Sequence, residues 1–158
     1  LFIEPLVAPR CIVVGAGHVG RAVAAVARDA GLSVTAVEDR PAEAERVVAD
    51  AVICAPLEEG LGAAAPGPSD FVVVTTRAHG LDLRCVRAAL GTKARYVGLL
   101  ASRKKADVIR AALAKEGVDA TRLHAPVGLD LAAKSAGEIA VSIVAQLIKV
   151  RRLGRGDR

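Results

Sequence analysis

The run Gly15-Ala-Gly-His-Val-Gly20 has the residue types and spacing of a turn that receives a pyrophosphate. In that role Gly15 permits the tight turn, Gly17 lets the backbone approach the guest, and Gly20 lets the next helix pack closely. Ala16, His18 and Val19 complete the turn. A helix starting there offers free N–H groups and a partial positive charge to an anion. Glu38 and Asp39 close the second apolar run at the distance where a carboxylate can accept ribose hydroxyls, which would favour NAD. Arg40 stands beside them, and a guanidinium there can instead pair with the 2′-phosphate of NADP. The competing reading is that the glycines serve close packing alone.

Further polar residues fall where later apolar runs end. Thr75, Thr76, Arg77 and His79 follow the fourth run, Ser102 and Arg103 the fifth, and Asp130 ends the stretch His124-Ala-Pro-Val-Gly-Leu-Asp130. Open α/β sheets bind ligands at the carboxyl ends of their strands, so these groups are expected to line one crevice. Ser102 also reads as a helix N-cap. His18, His79 and His124 lack the spacing of a metal site, and no metal is expected. Neither a Ser/His/Asp elbow nor a carboxylate pair set for acid–base work is present. Cys11, Cys54 and Cys85 read as buried, reduced small hydrophobes.

Strand and helix patterns alternate to position these groups. Apolar, β-branched runs at 11–14, 34–37, 51–54, 71–75 and 95–100 read as strands. A first helix is expected over 18–30, with Val19, Val23, Val26 and Ala30 on its inner face, and another over 102–116. Ser135-Ala-Gly-Glu138 is a capping box opening a last helix, whose stripe is Ile139, Ala140, Ile143, Val144, Leu147 and Ile148. The segment 60–69, rich in Ala, Gly and Pro, reads as a surface connection. The fold class is therefore α/β: a Rossmann-like, doubly wound parallel sheet in three layers, a single domain with leading strand order 3-2-1-4-5.

Composition agrees. The chain has 158 residues, enough for one full core, and is 53% hydrophobic but only 2% aromatic. Its core must be Val, Ile, Leu and Ala, as in strands buried on both faces. The net charge is +5, yet one Tyr and two Phe give no stacking platform for nucleic acid. No apolar run reaches the ~18 residues of a membrane span, and a cytoplasmic location is expected. Residues 1–9 read as a linker or the remnant of a preceding segment, since the chain opens on Leu1, and 10–152 as the Rossmann-like domain. Residues 153–158 read as a basic tail.

Several stretches together resemble a known family. Besides the glycine turn and His124–Asp130 stretch, they are Glu38-Asp-Arg-Pro41, Thr76-Arg-Ala-His-Gly-Leu-Asp82, Tyr96-Val-Gly-Leu-Leu-Ala-Ser-Arg-Lys-Lys105 and Glu138-Ile-Ala-Val-Ser-Ile-Val-Ala145. In this order they are similar to the C-terminal Rossmann domain of the xanthine dehydrogenase accessory proteins, the XdhC/CoxI family. The resemblance implies a chaperone-like accessory protein. It would bind molybdenum cofactor (molybdopterin or its dinucleotide form) and help mature the apo-enzyme of a molybdenum hydroxylase such as xanthine dehydrogenase. Thr76, Arg77, His79 and Asp130 would line the crevice beyond the glycines. Ala78, Ala101 and Ala132 stand where the family usually has Gly, and Ala136-Gly137 where it has Pro-Glu. Hydride transfer would also need a substrate domain, and none follows the last helix in this sequence, so holding a guest is the first expectation. An NAD(P)-dependent oxidoreductase, or its nucleotide-binding domain, is the alternative. A module docking on a partner enzyme through the basic tail is a third reading, and a homodimer stays open.

Overall fold

A computed structural model describes residues 8–154. Residues 1–7 and 155–158, with most of the expected leading segment and basic tail, lie outside the described residues.

In chain order the elements are β1 (Arg10–Val14), α1 (His18–Asp29), β2 (Ser33–Glu38), α2 (Pro41–Ala44), β3 (Ala51–Cys54) and α3 (Leu57–Ala64). They continue as β4 (Phe71–Val74), α4 (His79–Leu90), β5 (Tyr96–Leu99), α5 (Arg103–Lys115), β6 (Leu123–His124) and α6 (Ala136–Leu153). All strand pairings are parallel, and the sheet order is β3-β2-β1-β4-β5-β6. The expected order holds, with the short β6 added beyond β5. β1 is central, and the winding direction reverses between β1 and β4, which opens a crevice outside their carboxyl ends.

The period-2 alternation of the strands divides the core in two. Cys11, Val13, Val34, Ala36, Phe71, Val73 and Tyr96 point to one face, under Val23, Ala24 and Ala27 of α1 and Ile143, Val144 and Leu147 of α6. Ile12, Val14, Val37, Val72, Val74, Val97 and Leu99 point to the other, under α3, α4 and α5. Each such Val, Leu or Ile contributes about 1.5–3 kcal/mol relative to exposure. Continuous apolar strands therefore have helices on both sides, and the domain is a Rossmann-like three-layer sandwich.

Several local expectations need correction. Residues 60–64 belong to helix α3, because Leu57, Leu61 and Ala64 share one buried face. Gly60 packs there against Val37, whose Cγ1 would lie 2.4 Å from an added Cβ. Glycine in this segment serves a close approach, and the connection is confined to 65–70. In α1 the buried face is Gly20, Val23, Ala24 and Ala27, while Ala30 is the exposed C-cap. Ile148 is exposed, and α6 instead buries Gln146, which accepts from Tyr96 Oη at 2.6 Å and from Gly128 N at 2.9 Å. Cys54 is exposed because β3 is the sheet's edge. Leu153, expected in the tail, is the last residue of α6.

Both expected caps form. Ser135 Oγ accepts from Glu138 N at 3.1 Å while Glu138 Oε2 accepts from Ser135 N at 3.0 Å. Ser102 Oγ accepts from Lys105 N at 3.2 Å. Of the alanines expected to stand where the resembled family has Gly, Ala132 adopts a positive φ of 52°, whereas Ala78 is extended at −145°. Strain from those methyl groups is thus confined to the loop before α6.

Candidate functional site

The glycine turn is built by contacts that leave no room for side chains at two of its three positions. At Gly15, φ is +98° and a Cβ would lie 2.7 Å from Thr75 O. At Gly20 a Cβ would lie 2.0 Å from Gly15 O, so α1 rests directly on the turn. Thr75 Oγ1 donates to Gly15 O at 2.7 Å and ties the turn to β4. Gly17 differs: it is the N-cap of α1, makes no side-chain cap bond, and faces open space. The first-turn N–H groups of α1 therefore point at a cleft.

That cleft has a volume of about 320 Å³, at the lower end for small-molecule sites. Its lining brings together many of the residues singled out from sequence: Gly15, Gly17, His18, Val19, Glu38, Arg40, Thr75, Thr76 and Arg77. Ala16 and Gly20 are buried beneath it. Asp39 is not in the lining but pairs with Arg77, whose Nη1 and Nη2 donate to its two oxygens at 2.8 and 2.9 Å. The hydrogen bonds from Arg77 hold the Asp39 carboxyl down at about 2.

Glu38 occupies the position expected of a ribose acceptor, yet its carboxylate faces inward. Oε2 accepts from Ala16 N at 2.6 Å and from Arg40 Nη2 at 3.1 Å. Oε1 accepts from Arg40 N at 3.0 Å and Arg40 Nε at 2.9 Å. The carboxylate thereby clamps the glycine turn to the end of β2. These same bonds raise the Arg40 guanidinium above its ordinary value, and Asp39 does the same to Arg77.

Ser102, Arg103 and Asp130 line a second cleft of about 310 Å³ beyond β5, which shares Leu100 with the first. Arg103 Nη2 lies 3.4 Å from Asp130 Oδ2 there, both side chains being well exposed. The crevice along the sheet edge thus has two chambers. His79 begins α4 on the surface and lines neither of them. His124 lies in β6, stacked on Tyr96 at 4.3 Å.

Sequence reasoning missed Asp82 as a component of this edge. It is wholly buried in the first turn of α4; Thr76 Oγ1 donates to its Oδ1 at 2.5 Å, and the Lys105 ammonium lies against Oδ2. The signal was present but split between Thr76-Arg-Ala-His-Gly-Leu-Asp82 and Ser102-Arg-Lys-Lys105, two stretches whose pairing only the fold supplies.

The donors gathered at this cleft are backbone N–H groups and the Arg40 and Arg77 guanidiniums. Burial pushes the thiols of Cys11 and Cys85 up to about 12, far from a reactive thiolate. Among the described residues no group of three or more His, Cys, Asp and Glu side chains is placed to hold a metal ion. No helix among them is long and apolar enough to cross a membrane.

Comparison with known proteins now decides the family. Residues 11–147 match the model of the XdhC Rossmann domain. The chain belongs to the XdhC Rossmann-domain family. A Bacillus subtilis protein described as a probable xanthine dehydrogenase subunit is 33% identical to it over 153 residues, covering 95% of this chain and 44% of that protein. It is 30% identical over 155 residues to the uncharacterized protein YqeB of Escherichia coli, covering 94% of this chain and 28% of that protein. A crystal structure described as a xanthine dehydrogenase from Bacillus halodurans superposes with a TM-score of 0.83 at 29% identity, over 94% of this chain and 44% of that one. The XdhC-type chain thus spans less than half the length of these relatives.

Proposed function

We propose that this XdhC-type domain is an accessory module for a molybdenum hydroxylase of the xanthine dehydrogenase kind. It holds the molybdenum cofactor, or a related pyrophosphate-bearing nucleotide, during maturation of that enzyme. The observation that carries the reading is the cleft at Gly17, where the start of α1 lacks a side-chain cap and Arg40 and Arg77 line the same space. A phosphate fits this chemistry, because the donors are backbone N–H groups and guanidiniums, preorganised and without competing carboxylates on the first turn of α1. The second chamber beyond Leu100 gives room for the remainder of a two-part guest. Membership of the XdhC family, and the xanthine dehydrogenase names borne by two relatives, support the choice of partner.

When bound, molybdenum cofactor would bring the oxidation chemistry used by the partner. The residues of this chain bind its phosphate, orient it and exclude water. The test is isothermal titration of the chain with molybdopterin and with its cytosine dinucleotide, NAD serving as comparator. Heat from either pterin supports the proposal. No heat from both, alongside tight NAD binding, overturns it in favour of a nucleotide-dependent oxidoreductase domain.

A further inference from the structure

The acid at the end of β2 is already fully engaged. An ionised carboxylate offers about four lone-pair sites. In Glu38 each oxygen accepts two N–H bonds, three of the four donors coming from Arg40 and one from Ala16. Its side chain is 1% exposed. A ribose diol entering the cleft would find no acceptor there without first displacing Arg40.

What the ends of β2 and β4 do present to the cleft is two cations. The Arg40 and Arg77 side chains, 39% and 45% exposed, line the space in front of the glycine turn. They converge on a single atom, Asp39 Oδ1, at 4.0 and 2.8 Å. Asp39 is itself 23% exposed, so its carboxylate already meets water. An exposed pair of this kind contributes little to stability, so exchanging its carboxylate for another anion costs little.

We propose that Arg40 and Arg77 form the receptor for a phosphomonoester dianion, with the Asp39 carboxylate as its internal stand-in. This rests on the proposed phosphate-binding role of the cleft and narrows it to guests that carry a terminal phosphate. A phosphomonoester brings about −1.5 to −2 charge and three terminal oxygens, which suit forked guanidiniums better than one carboxylate does. Asp39 also acts as a filter. A guest with a bare ribose gains nothing by evicting it, whereas a dianion takes both arginines. The shared chemistry can come from the 2′-phosphate of a nucleotide or from the phosphate of a pterin.

Two matched pairs of probes separate these sources: NADP⁺ against NAD⁺, and molybdopterin against its cytosine dinucleotide, whose phosphate is tied up in a pyrophosphate. The full chain is titrated with all four. In at least one pair the monoester member should bind about tenfold more tightly or better, a difference of ~1.4 kcal/mol. The Arg77→Gln variant should reduce that ratio to less than about threefold, while Asp39→Asn should tighten monoester binding severalfold by removing the competitor. A purely structural Asp39–Arg77 pair would give no such gain. Equal or weaker binding of the monoester member in both pairs overturns the inference and leaves phosphate binding at the glycine turn standing. Silence from all four probes overturns both.

Discussion

Thr76 and Arg77 are neighbours in the chain, yet they serve two opposite kinds of ion pair. Thr76 turns inward to Asp82, which is 0% exposed and faces a Lys105 side chain only 18% exposed. Arg77 turns outward across the crevice to Asp39, where both groups meet water. The inner pair joins the starts of α4 and α5 and so fixes the floor of the sheet edge. The outer pair stands beside the cleft, which Arg77 lines. Desolvation separates them: a buried charge that loses its partner has nothing to replace it, whereas an exposed one has water and salt. Rigidity belongs below the site and exchangeability at its entrance.

The contrast breaks most readily at Asp82. Replacing it by Ala leaves the Lys105 ammonium mostly buried and unpaired, and should cost about 3–5 kcal/mol of unfolding free energy in urea. The double variant Asp82→Ala with Lys105→Met should recover much of that loss. A cost below about 1 kcal/mol for Asp82→Ala would mean that Lys105 reaches water, and the distinction between the pairs would vanish.

Glu38 comes next, because it is buried like Asp82 but serves the turn above the floor. In Glu38→Gln one oxygen becomes an NH₂ group and can no longer accept. Either Ala16 N or part of the Arg40 fork then loses its partner, at a cost of about 1–3 kcal/mol. Faster hydrogen exchange at Ala16 N would show that the carboxylate clamps the turn. Full stability, with weakened binding of NAD, would show instead that Glu38 serves as a ribose acceptor.

The legibility of these features follows the range of the interactions that make them. The glycine turn and the Ser135–Glu138 capping box are local, so spacing alone reveals them. The strand order follows from patterns of a few residues combined with the handedness of crossovers. Gly60 misleads because glycine marks both loose loops and close packing, and only Val37, 23 positions earlier, tells which. Gln146 looks like an interruption of an apolar stripe until Tyr96 and Gly128 supply its donors. At the site, sequence singled out many of the residues that line the cleft at Gly17 but not their direction. Glu38 had the position of a ligand acceptor, and Arg40, two residues later, had already filled it. Asp82 escaped notice for the reason Gln146 did: its partner comes from another element.

The smallest effect is expected at Asp39, and its pH dependence makes it the sharper test of the outer pair. Asp39→Asn removes the ion pair with Arg77 and should cost no more than about 1 kcal/mol at neutral pH. The folded carboxyl titrates at about 2, below its ordinary 3.8, so the pair's contribution is present above about pH 4 and is lost as pH falls toward 2. The stability gap between wild type and variant should therefore be constant from pH 7 to about pH 4 and close below it. Added salt should shrink the gap at neutral pH, since the pair is exposed to screening, while leaving the much larger cost of Asp82→Ala nearly unchanged. If the Asp39 gap instead resists salt and exceeds about 2 kcal/mol, the outer pair is fixed structure and Asp39 cannot yield its place to a phosphate.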